Sequence, residues 1–394
     1  MARKRRERNI SYDEDRGMFY VTLNFGLDPE TGKQVKKTKT FRTLSQARAA
    51  LRKHEAARDA GQVVMPKDLS LHRWLDIWMK NVVELNRAAT TVYAYEQMIK
   101  NHIAPALGDI PLQKLTPQNL QKYYADKARE GKISSNTVRK HHDLLSAALR
   151  AAVRQGEILS NPAERVEPPK VKISERDFYS PDEVKALLQV PMDGWLRVGV
   201  HLAAYLGLRR EEICGLRWSC VDFENHLVKI RYARTSAGSK LVEKEPKNRS
   251  SERVLTCPSE LETVLKEELI HQEKWKDIRV SPQAQEGFVV CWPDGEPVRP
   301  NYLSNRFSKL VSDNNLPKLT LHGLRHSFAS IANAQGASLF DIGKALGHST
   351  PSTTGKIYTH LIEQTHEKTV SCIAQAINAS GKDAFQSAAS IPGV

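Results

Sequence analysis

The N-terminal part of the chain alternates apolar and polar residues with the period of a β-strand. In residues 19–25 (FYVTLNF) every second side chain is large and apolar, as expected for a strand buried on one face. Residues 28–32 (DPETG) are typical of a turn, and residues 34–41 then read as a returning strand. Thr43 and Gln46 have the spacing of a capping box for a helix that runs to about residue 59. We expect a three-stranded sheet with one helix within residues 1–62.

After a short linker at residues 62–67, the apolar pattern takes a helical period. Thr116 followed by Pro117 has the order of a helix N-cap and first helical position. Residues 68–165 are therefore predicted to form a helical bundle. Its helices are expected at residues 74–78, at residues 92–107, from Thr116 onward, and from Asn136 onward with an apolar stripe at Leu144, Leu145, Ala148, Leu149, Ala152 and Val153.

A second change of pattern separates the bundle from the rest of the chain. Residues 161–174 (NPAERVEPPKVKIS) are proline-rich, charged and without a period, as in an extended linker, and we set the linker at residues 166–178. A last domain then covers residues 179–378, with an apolar helix at residues 196–206 and a small antiparallel sheet within residues 221–257, before a tail at residues 379–394. The predicted fold class is multidomain, mainly α with small β-sheets.

Charge and cysteine content limit the functional classes. The net charge is +14, and residues 1–60 alone hold fifteen Lys/Arg against eight Asp/Glu, so a polyanion such as nucleic acid is the expected partner. The five cysteines are scattered and none forms a Cys-x-x-Cys motif, which favours a reduced, cytoplasmic chain without a structural zinc. Neither a membrane-spanning run nor the apolar core of a secretion signal is recognisable in the sequence.

Candidate chemistry is concentrated near the C-terminus. His322 and Arg325 are three residues apart, so on a helix both side chains leave from one face and can converge on one phosphate-sized anion. Gly347 is placed to end a helix, with His348 directly after it. The Ser/Thr-rich residues 349–354 can cap a further helix that carries Tyr358. Each fragment alone is more often ordinary surface or a helix cap, and the ordered combination is what makes it specific.

The order Arg, Lys, His-x-x-Arg, His, Tyr resembles that of the tyrosine recombinase (phage integrase) family. Arg209 lies in Leu-Gly-Leu-Arg-Arg-Glu-Glu, which is similar to the family's Thr-Gly-Leu-Arg-x-x-Glu box, although Leu206 stands where Thr is usual and Arg210 is a rival. The family's Lys-Thr-x-x-Ser-x-Arg pattern matches residues 247–253, which makes Lys247 the candidate lysine. The resemblance implies catalytic roles for Arg209, Lys247, His322, Arg325, His348 and Tyr358, with Lys240, Lys244 and Arg249 as competitors of Lys247.

These residue types suit cleavage of a phosphodiester without a metal ion or ATP. A phenol with a reference pKa of about 10 is a poor nucleophile at pH 7 unless nearby positive charge stabilises its oxyanion. Two guanidinium groups can bind the nonbridging phosphate oxygens, two histidines can donate to them or move a proton, and Lys247 could protonate the leaving 5′-oxygen. Attack by Tyr358 would conserve the bond energy in a 3′-phosphotyrosyl link. We therefore expect no cofactor.

The resemblance also implies partners. Residues 1–62 resemble an arm-type DNA-binding domain, residues 68–165 a core-binding domain, and residues 179–378 the mixed α/β catalytic domain of an integrase from a mobile element. The implied partners are double-stranded DNA with core and arm-type sites, three further copies in a tetramer, an excisionase and a DNA-bending host protein. Two other functions remain open, a non-catalytic DNA-binding regulator and an enzyme like type IB topoisomerases. Candidate DNA contacts are Lys36, Lys37, Lys39, Lys100, Lys122, Arg139 and Lys140, with Lys114 and His141 as further basic groups around the bundle.

Overall fold

The computed structural model describes residues 3–27, 31–170, 178–238, 240–244, 252–275, 277 and 285–347. The chain forms two compact units, Met1–Ile173 and Ser174–Val394. None of the helices within the described ranges is long and apolar enough to cross a membrane.

The N-terminal sheet has four antiparallel strands in the order β1-β2-β3-β4, where three were expected. The additional strand β1 has the sequence KRRE, and such a run has no apolar period that could reveal it. It forms because the sheet edge at β2 offers backbone partners, with Lys4 opposite Tyr12. The strands are β1 (Lys4–Glu7), β2 (Ile10–Asp13), β3 (Met18–Leu27) and β4 (Gln34–Phe41).

One helix, α1 (Leu44–Asp59), covers one face of this sheet. It begins where predicted, because the Thr43 side chain accepts a hydrogen bond from the backbone N–H of Gln46 at 3.3 Å. The small core under it contains Ile10, Val21 and Leu23 of the sheet together with Ala47 of the helix. The opposite face of the sheet has no covering element within the described residues 3–27 and 31–170.

The bundle of this first unit is built from four principal helices. The first two each continue through a π-helical turn, at Met79–Val83 and Ile99–Ile103, which sequence periodicity does not reveal. The fourth buries the predicted apolar stripe except for Val153, which is partly buried. The helices are α2 (Leu71–Trp78), α3 (Ala89–Met98), α4 (Pro117–Glu130) and α5 (Ser135–Arg154).

The end of the bundle differs from the extended linker expected at residues 161–174. Pro162–Arg165 forms a 3₁₀ turn against α5. The Asn161 side chain holds this turn, because it accepts from the Ala163 N–H at 2.9 Å and donates to the Ser146 carbonyl at 3.2 Å. Pro162 and Ala163 are buried, whereas the charged composition of this stretch had suggested that it would be exposed to solvent.

The second unit combines seven helices with two small antiparallel sheets in its described part. One sheet has the order β5-β6-β9, and the other is the hairpin β7-β8, which turns at Gly238 with φ +63°. The strands are β5 (Val221–Asp222), β6 (Leu227–Ile230), β7 (Ala233–Ala237), β8 (Lys240–Lys244) and β9 (Arg253–Thr256). The helices are α6 (Pro181–Leu188), α7 (Gly194–Leu206), α8 (Arg210–Ile213), α9 (Ser259–Glu273), α10 (Pro300–Asp313), α11 (Leu321–Ala334) and α12 (Leu339–Leu346).

Helix α7 is the centre of this unit. Nine of its thirteen residues are buried, and α9, α10 and α11 pack around it. Gly207 ends the helix in the left-handed conformation at φ +60°, and a Cβ there would lie 2.7 Å from a Leu346 methyl carbon and 2.8 Å from the Phe328 ring. A residue larger than glycine is therefore excluded where the chain leaves α7 and passes between α11 and α12.

Candidate active site

Arg209 stands at the point where the chain turns from α7 into α8. It is the residue that precedes the first turn of α8, and Glu212 three residues later accepts from the Arg209 backbone N–H at 2.8 Å. The same carboxylate accepts from the Arg209 guanidinium at 2.9 Å. The Arg209 side chain is one-third exposed, at 33%. Arg210, the other candidate for this role, is exposed and pairs with Glu211, so the two arginines lie in different environments.

Glu212 is a buried carboxylate held between two arginines. Arg253, at the start of β9, donates to both of its oxygens, at 3.0 and 2.8 Å, while Arg209 approaches from the other side. Burial by itself would raise the pKa of Glu212, but the hydrogen bonds and charge of Arg253, aided by Arg209, outweigh it and lower that pKa to about 2. Glu212 is therefore ionised at any physiological pH.

Arg325 and His322 lie on α11, as the sequence predicted, but in different environments. Arg325 is only 2% exposed, and its guanidinium donates to the carbonyls of Gly207 and Leu346, both at 2.7 Å. His322 is exposed in the first turn, with its ring 4.8 Å from that of His326 and perpendicular to it. The Thr320 side chain caps this turn by accepting from the Gly323 N–H at 3.0 Å. The roles of His322 and Arg325 in binding one anion stay predictions.

Three arginines meet at the C-terminal end of α12. Arg253 donates to the Ala345 carbonyl at 2.7 Å, and Arg209 donates to the Gly347 carbonyl at 3.2 Å. Because Arg325 binds the carbonyl between them, three successive carbonyls each receive one guanidinium. The last carbonyls of a helix have no partner within the helix and form the negative end of its dipole, which suits positive side chains. We call Arg209, Arg253 and Arg325 the arginine cluster.

The arginine cluster is a cationic site at the end of α12, after which the sequence continues to the predicted nucleophile. Two of its guanidinium groups, those of Arg209 and Arg253, bind Glu212, while Arg325 donates to main-chain carbonyls. These contacts leave positive charge in excess, which attracts an anion. Gly347 ends α12 in the left-handed conformation at φ +66°, as predicted, and His348 follows it in the sequence. Among the described residues no group of three or more His, Cys, Asp or Glu could hold a metal ion.

Sequence reasoning gave no role to Arg253. The residue ends the Lys-x-x-x-Ser-x-Arg match at positions 247–253, so the motif contained the signal, but its partner Glu212 is 41 positions away in the chain. Local spacing cannot reveal such a pairing. Lys247, Arg249, His348 and Tyr358 lie outside the described residues, whereas the competitor Lys240 is the exposed first residue of β8.

The three lysines of β4 lie on two faces of the N-terminal sheet. Residues paired across antiparallel strands point to the same face. Lys37 and Lys39 are opposite Leu23 and Val21, whose side chains are buried under α1, whereas Lys36 is opposite Asn24 on the uncovered face. Lys39 also lines a groove of about 900 Å³ within the first unit. The three candidate DNA contacts of this strand are therefore divided between the two faces of the sheet.

The basic residues of the bundle also differ among themselves. Lys100, Lys122 and Lys140 are exposed, and Arg139 is paired with Asp143 at 3.3 Å. His141 is fully buried, and its Nδ1 lies 2.9 Å from the Tyr123 hydroxyl, so it is not a phosphate contact. Burial lowers the pKa of His141 to about 4, aided by the charges of His102 and Lys127.

Three family models match the chain in the order of its parts. The model described as "Phage integrase family" matches residues 177–365, which contain the arginine cluster. The chain belongs to the phage integrase family. The family's N-terminal SAM-like domain matches residues 70–128 of this integrase, in the bundle, and an arm DNA-binding domain matches residues 9–57, which include most of the N-terminal sheet and of α1.

Curated relatives align with nearly the whole integrase. It is 26% identical over 366 residues to a protein named "Tyrosine recombinase XerC-like" of Caldanaerobacter subterraneus subsp. tengcongensis, covering 87% of this chain and 92% of the relative. It is 24% identical over 362 residues to the ICEBs1 integrase of Bacillus subtilis, covering 88% and 94%. The predicted enzyme class, a site-specific recombinase of the tyrosine type, is thus confirmed.

Solved structures confirm the predicted fold class. The Tn1549 transposon integrase in complex with transposon right end DNA superposes with a TM-score of 0.64 at 18% identity, covering 76% of this chain and 99% of that one. A lambda integrase dimer bound to a COC′ core site superposes with a TM-score of 0.54 at 21% identity, covering 91% and 96%. At these identities the likeness speaks for the fold alone.

Proposed function

We propose that this integrase cleaves and rejoins DNA at the attachment sites of a mobile element, with Tyr358 as the nucleophile. The observation that carries the proposal is the arginine cluster at the end of α12, eleven residues before Tyr358 in the sequence. The one-third exposed Arg209 side chain of this cluster and the exposed His322 suit a phosphate, and a scissile phosphate is the anion expected for a phage integrase.

The role assigned to each residue follows from its charge and from its ability to give or accept a proton. The Tyr358 oxygen attacks phosphorus as its phenol proton passes to water, and a 3′-phosphotyrosyl bond forms. The bond to the 5′-oxygen breaks, and Lys247 gives that oxygen a proton. Arg209 and Arg325 stabilise the negative charge that grows on the nonbridging oxygens, and His322 and His348 donate to the same oxygens. A free 5′-hydroxyl of a second strand reverses the step and regenerates the Tyr358 phenol.

The uncovered face of the N-terminal sheet is the surface we assign to arm-type DNA. It presents Thr22 and Asn24 of β3 opposite Thr38 and Lys36 of β4, and Tyr20 on the same face is buried. The Arg3 guanidinium stacks on the Tyr20 ring, 3.6 Å from its centroid, which adds a cation to this face. Hydroxyl, amide and basic groups on an open sheet suit the edges of bases and the phosphates of a major groove.

The wider assembly is proposed from the relatives. One solved lambda integrase structure is described as a tetramer bound to a Holliday junction, with a TM-score of 0.55 and 21% identity. We therefore propose a homotetramer on DNA, with an excisionase and a DNA-bending host protein setting the direction. The expected site of action is the bacterial nucleoid in the cytoplasm, where such DNA lies.

The first test is covalent trapping. Full-length protein is incubated with duplex DNA from beside its gene, intact or nicked near the crossover, in EDTA without ATP and quenched with SDS. We expect an adduct on the DNA 3′ end in wild type and in Tyr302→Phe, a matched control whose ring packs at a tilt against those of Trp195 and Trp292. Tyr358→Phe should give none. Tight binding without any adduct on nicked DNA would favour the non-catalytic regulator, and relaxation of supercoils without strand exchange would favour the topoisomerase-like enzyme.

A further inference from the structure

We infer that Arg253 is a positioning residue for DNA cleavage, acting through Glu212 on Arg209 and through the Ala345 carbonyl on the segment that leads to His348. The inference rests on the proposed function. Arg253 itself faces inward, because its side chain is only 6% exposed and its donors are directed at protein acceptors. Its effect on a phosphate would therefore be indirect.

The first route runs through the carboxylate. Arg253 binds both oxygens of Glu212 with its two terminal nitrogens, and this fork fixes the plane of the carboxylate. The same two oxygens accept from the backbone N–H and the guanidinium of Arg209, at 2.8 and 2.9 Å. The orientation of the one-third exposed Arg209 side chain is thus set by a carboxylate that Arg253 holds in place.

The second route runs through the end of α12. The Arg253 Nε donates to the Ala345 carbonyl, two residues before the glycine at which the helix ends. Glycine at position 347 permits this approach, since a Cβ there would lie 2.8 Å from Nη1 of Arg253. The C-terminal end of α12, which precedes His348 and Tyr358 in the sequence, is therefore anchored to the same guanidinium that orients Arg209.

Only arginine can serve both routes at once. Its planar guanidinium presents three nitrogens in fixed directions, and here two bind the carboxylate and the third binds the carbonyl. A lysine ammonium keeps the charge but cannot reproduce this geometry. Charge and geometry can consequently be separated by comparing Arg253→Lys with Arg253→Met.

The experiment measures single-turnover cleavage of nicked attachment-site DNA by full-length variants, with DNA affinity measured in parallel. We expect unchanged affinity and a cleavage rate constant lowered on the order of 100-fold in Arg253→Met, as for other misplaced catalytic groups. Arg253→Lys should recover only part of this loss. A positioning role through Glu212 also predicts non-additivity, so that Arg253→Met should cost little more in a Glu212→Gln background.

A pH profile distinguishes positioning from simple destabilisation. Removing Arg253 leaves Glu212 buried with less positive charge, so its pKa should rise and cleavage by Arg253→Met should fall as the pH is lowered. The double variant Arg253→Met/Glu212→Gln should lose this fall in cleavage at low pH.

The matched control is Arg234→Met, since Arg234 is also buried, at 4% exposure, and lies over the Phe288 ring outside the arginine cluster. It should lower the melting temperature without changing the cleavage rate constant.

Each outcome decides one claim. Failure of wild type to form the Tyr358 adduct would overturn the proposed function. If wild type cleaves DNA and Arg253→Lys cleaves it at the same rate, the role of Arg253 is overturned while the proposed function stays intact. Strictly additive losses in the double variant would have the same meaning. If Arg253→Met does not fold, the Arg253→Lys rate and its non-additivity with Glu212→Gln test the role of Arg253 in its place.

Discussion

Replacing Glu212 by glutamine should destabilise the second unit by about 3 kcal/mol at pH 7. The folded protein lowers the pKa of this carboxyl from 4.5 to about 2, and one pKa unit corresponds to about 1.4 kcal/mol. A loss of that size also agrees with the roughly 3–5 kcal/mol observed when one partner of a buried ion pair is removed. Glutamine keeps the shape but leaves Arg209 and Arg253 without a countercharge.

The pH dependence of this loss has a definite sign. Because the folded-state pKa is depressed, the stabilisation by Glu212 is complete above about pH 4.5 and disappears as the pH falls through about 2. The difference between wild type and Glu212→Gln should therefore be full at pH 7 and shrink between pH 4.5 and 2. Other carboxylates titrate in both proteins and cancel in the difference.

The assay is urea unfolding of the full chain, monitored by hydrogen exchange. Peptides from α7 report the unfolding of the second unit alone. Peptides from α5 provide the internal control, because the bundle belongs to the first unit and should be unaffected. A deficit below about 1 kcal/mol at pH 7, or one that does not shrink on acidification, would show that Glu212 is not the charged centre of the arginine cluster.

Three further predictions concern other parts of the chain. Gly347→Ala should cost about 1–2 kcal/mol in urea unfolding, and slow cleavage of nicked DNA, because alanine is strained at φ +66° and its Cβ would press on Arg253. Lys36→Ala should reduce the slope of log affinity against log salt for arm-type DNA by about 0.9, while Lys37→Ala, on the covered face, should leave it unchanged. Since burial lowers the pKa of His141 from 6.5 to about 4, the bundle should lose stability as the pH falls between these values, and urea midpoints of His141→Phe should lack that loss.

Local patterns predicted those parts of the fold that depend on neighbouring residues. The apolar stripe of α5, the cap at Thr43 and the helix-ending Gly347 all follow from spacing over a few positions, and the structure has each of them. Strand β1 was missed because its stability comes from pairing with β2 and not from its own composition. The π-helical turns were missed because they alter the helical period for only five residues each.

The site was predictable as a set of residue types but not as an arrangement. Arg209, His322 and Arg325 were predicted because they lie in short motifs, and the spacing of His322 and Arg325 indicated that both leave from one face of a helix. Helical spacing gives the direction of a side chain and not what packs over it, so it could not show that Arg325 is buried between Gly207 and Leu346. The link between Glu212 and Arg253 joins distant parts of the chain.

The arginine cluster binds α12 through main-chain carbonyls, and this affects which mutations the integrase can tolerate. A carbonyl is the same in every residue, so the side chain at position 345 can change over evolution without loss of these three contacts. An insertion or deletion within α12 is different, because each residue turns the helix by about 100° and would carry all three carbonyls away from their arginines. Related integrases should thus vary in the sequence of this helix while keeping its length.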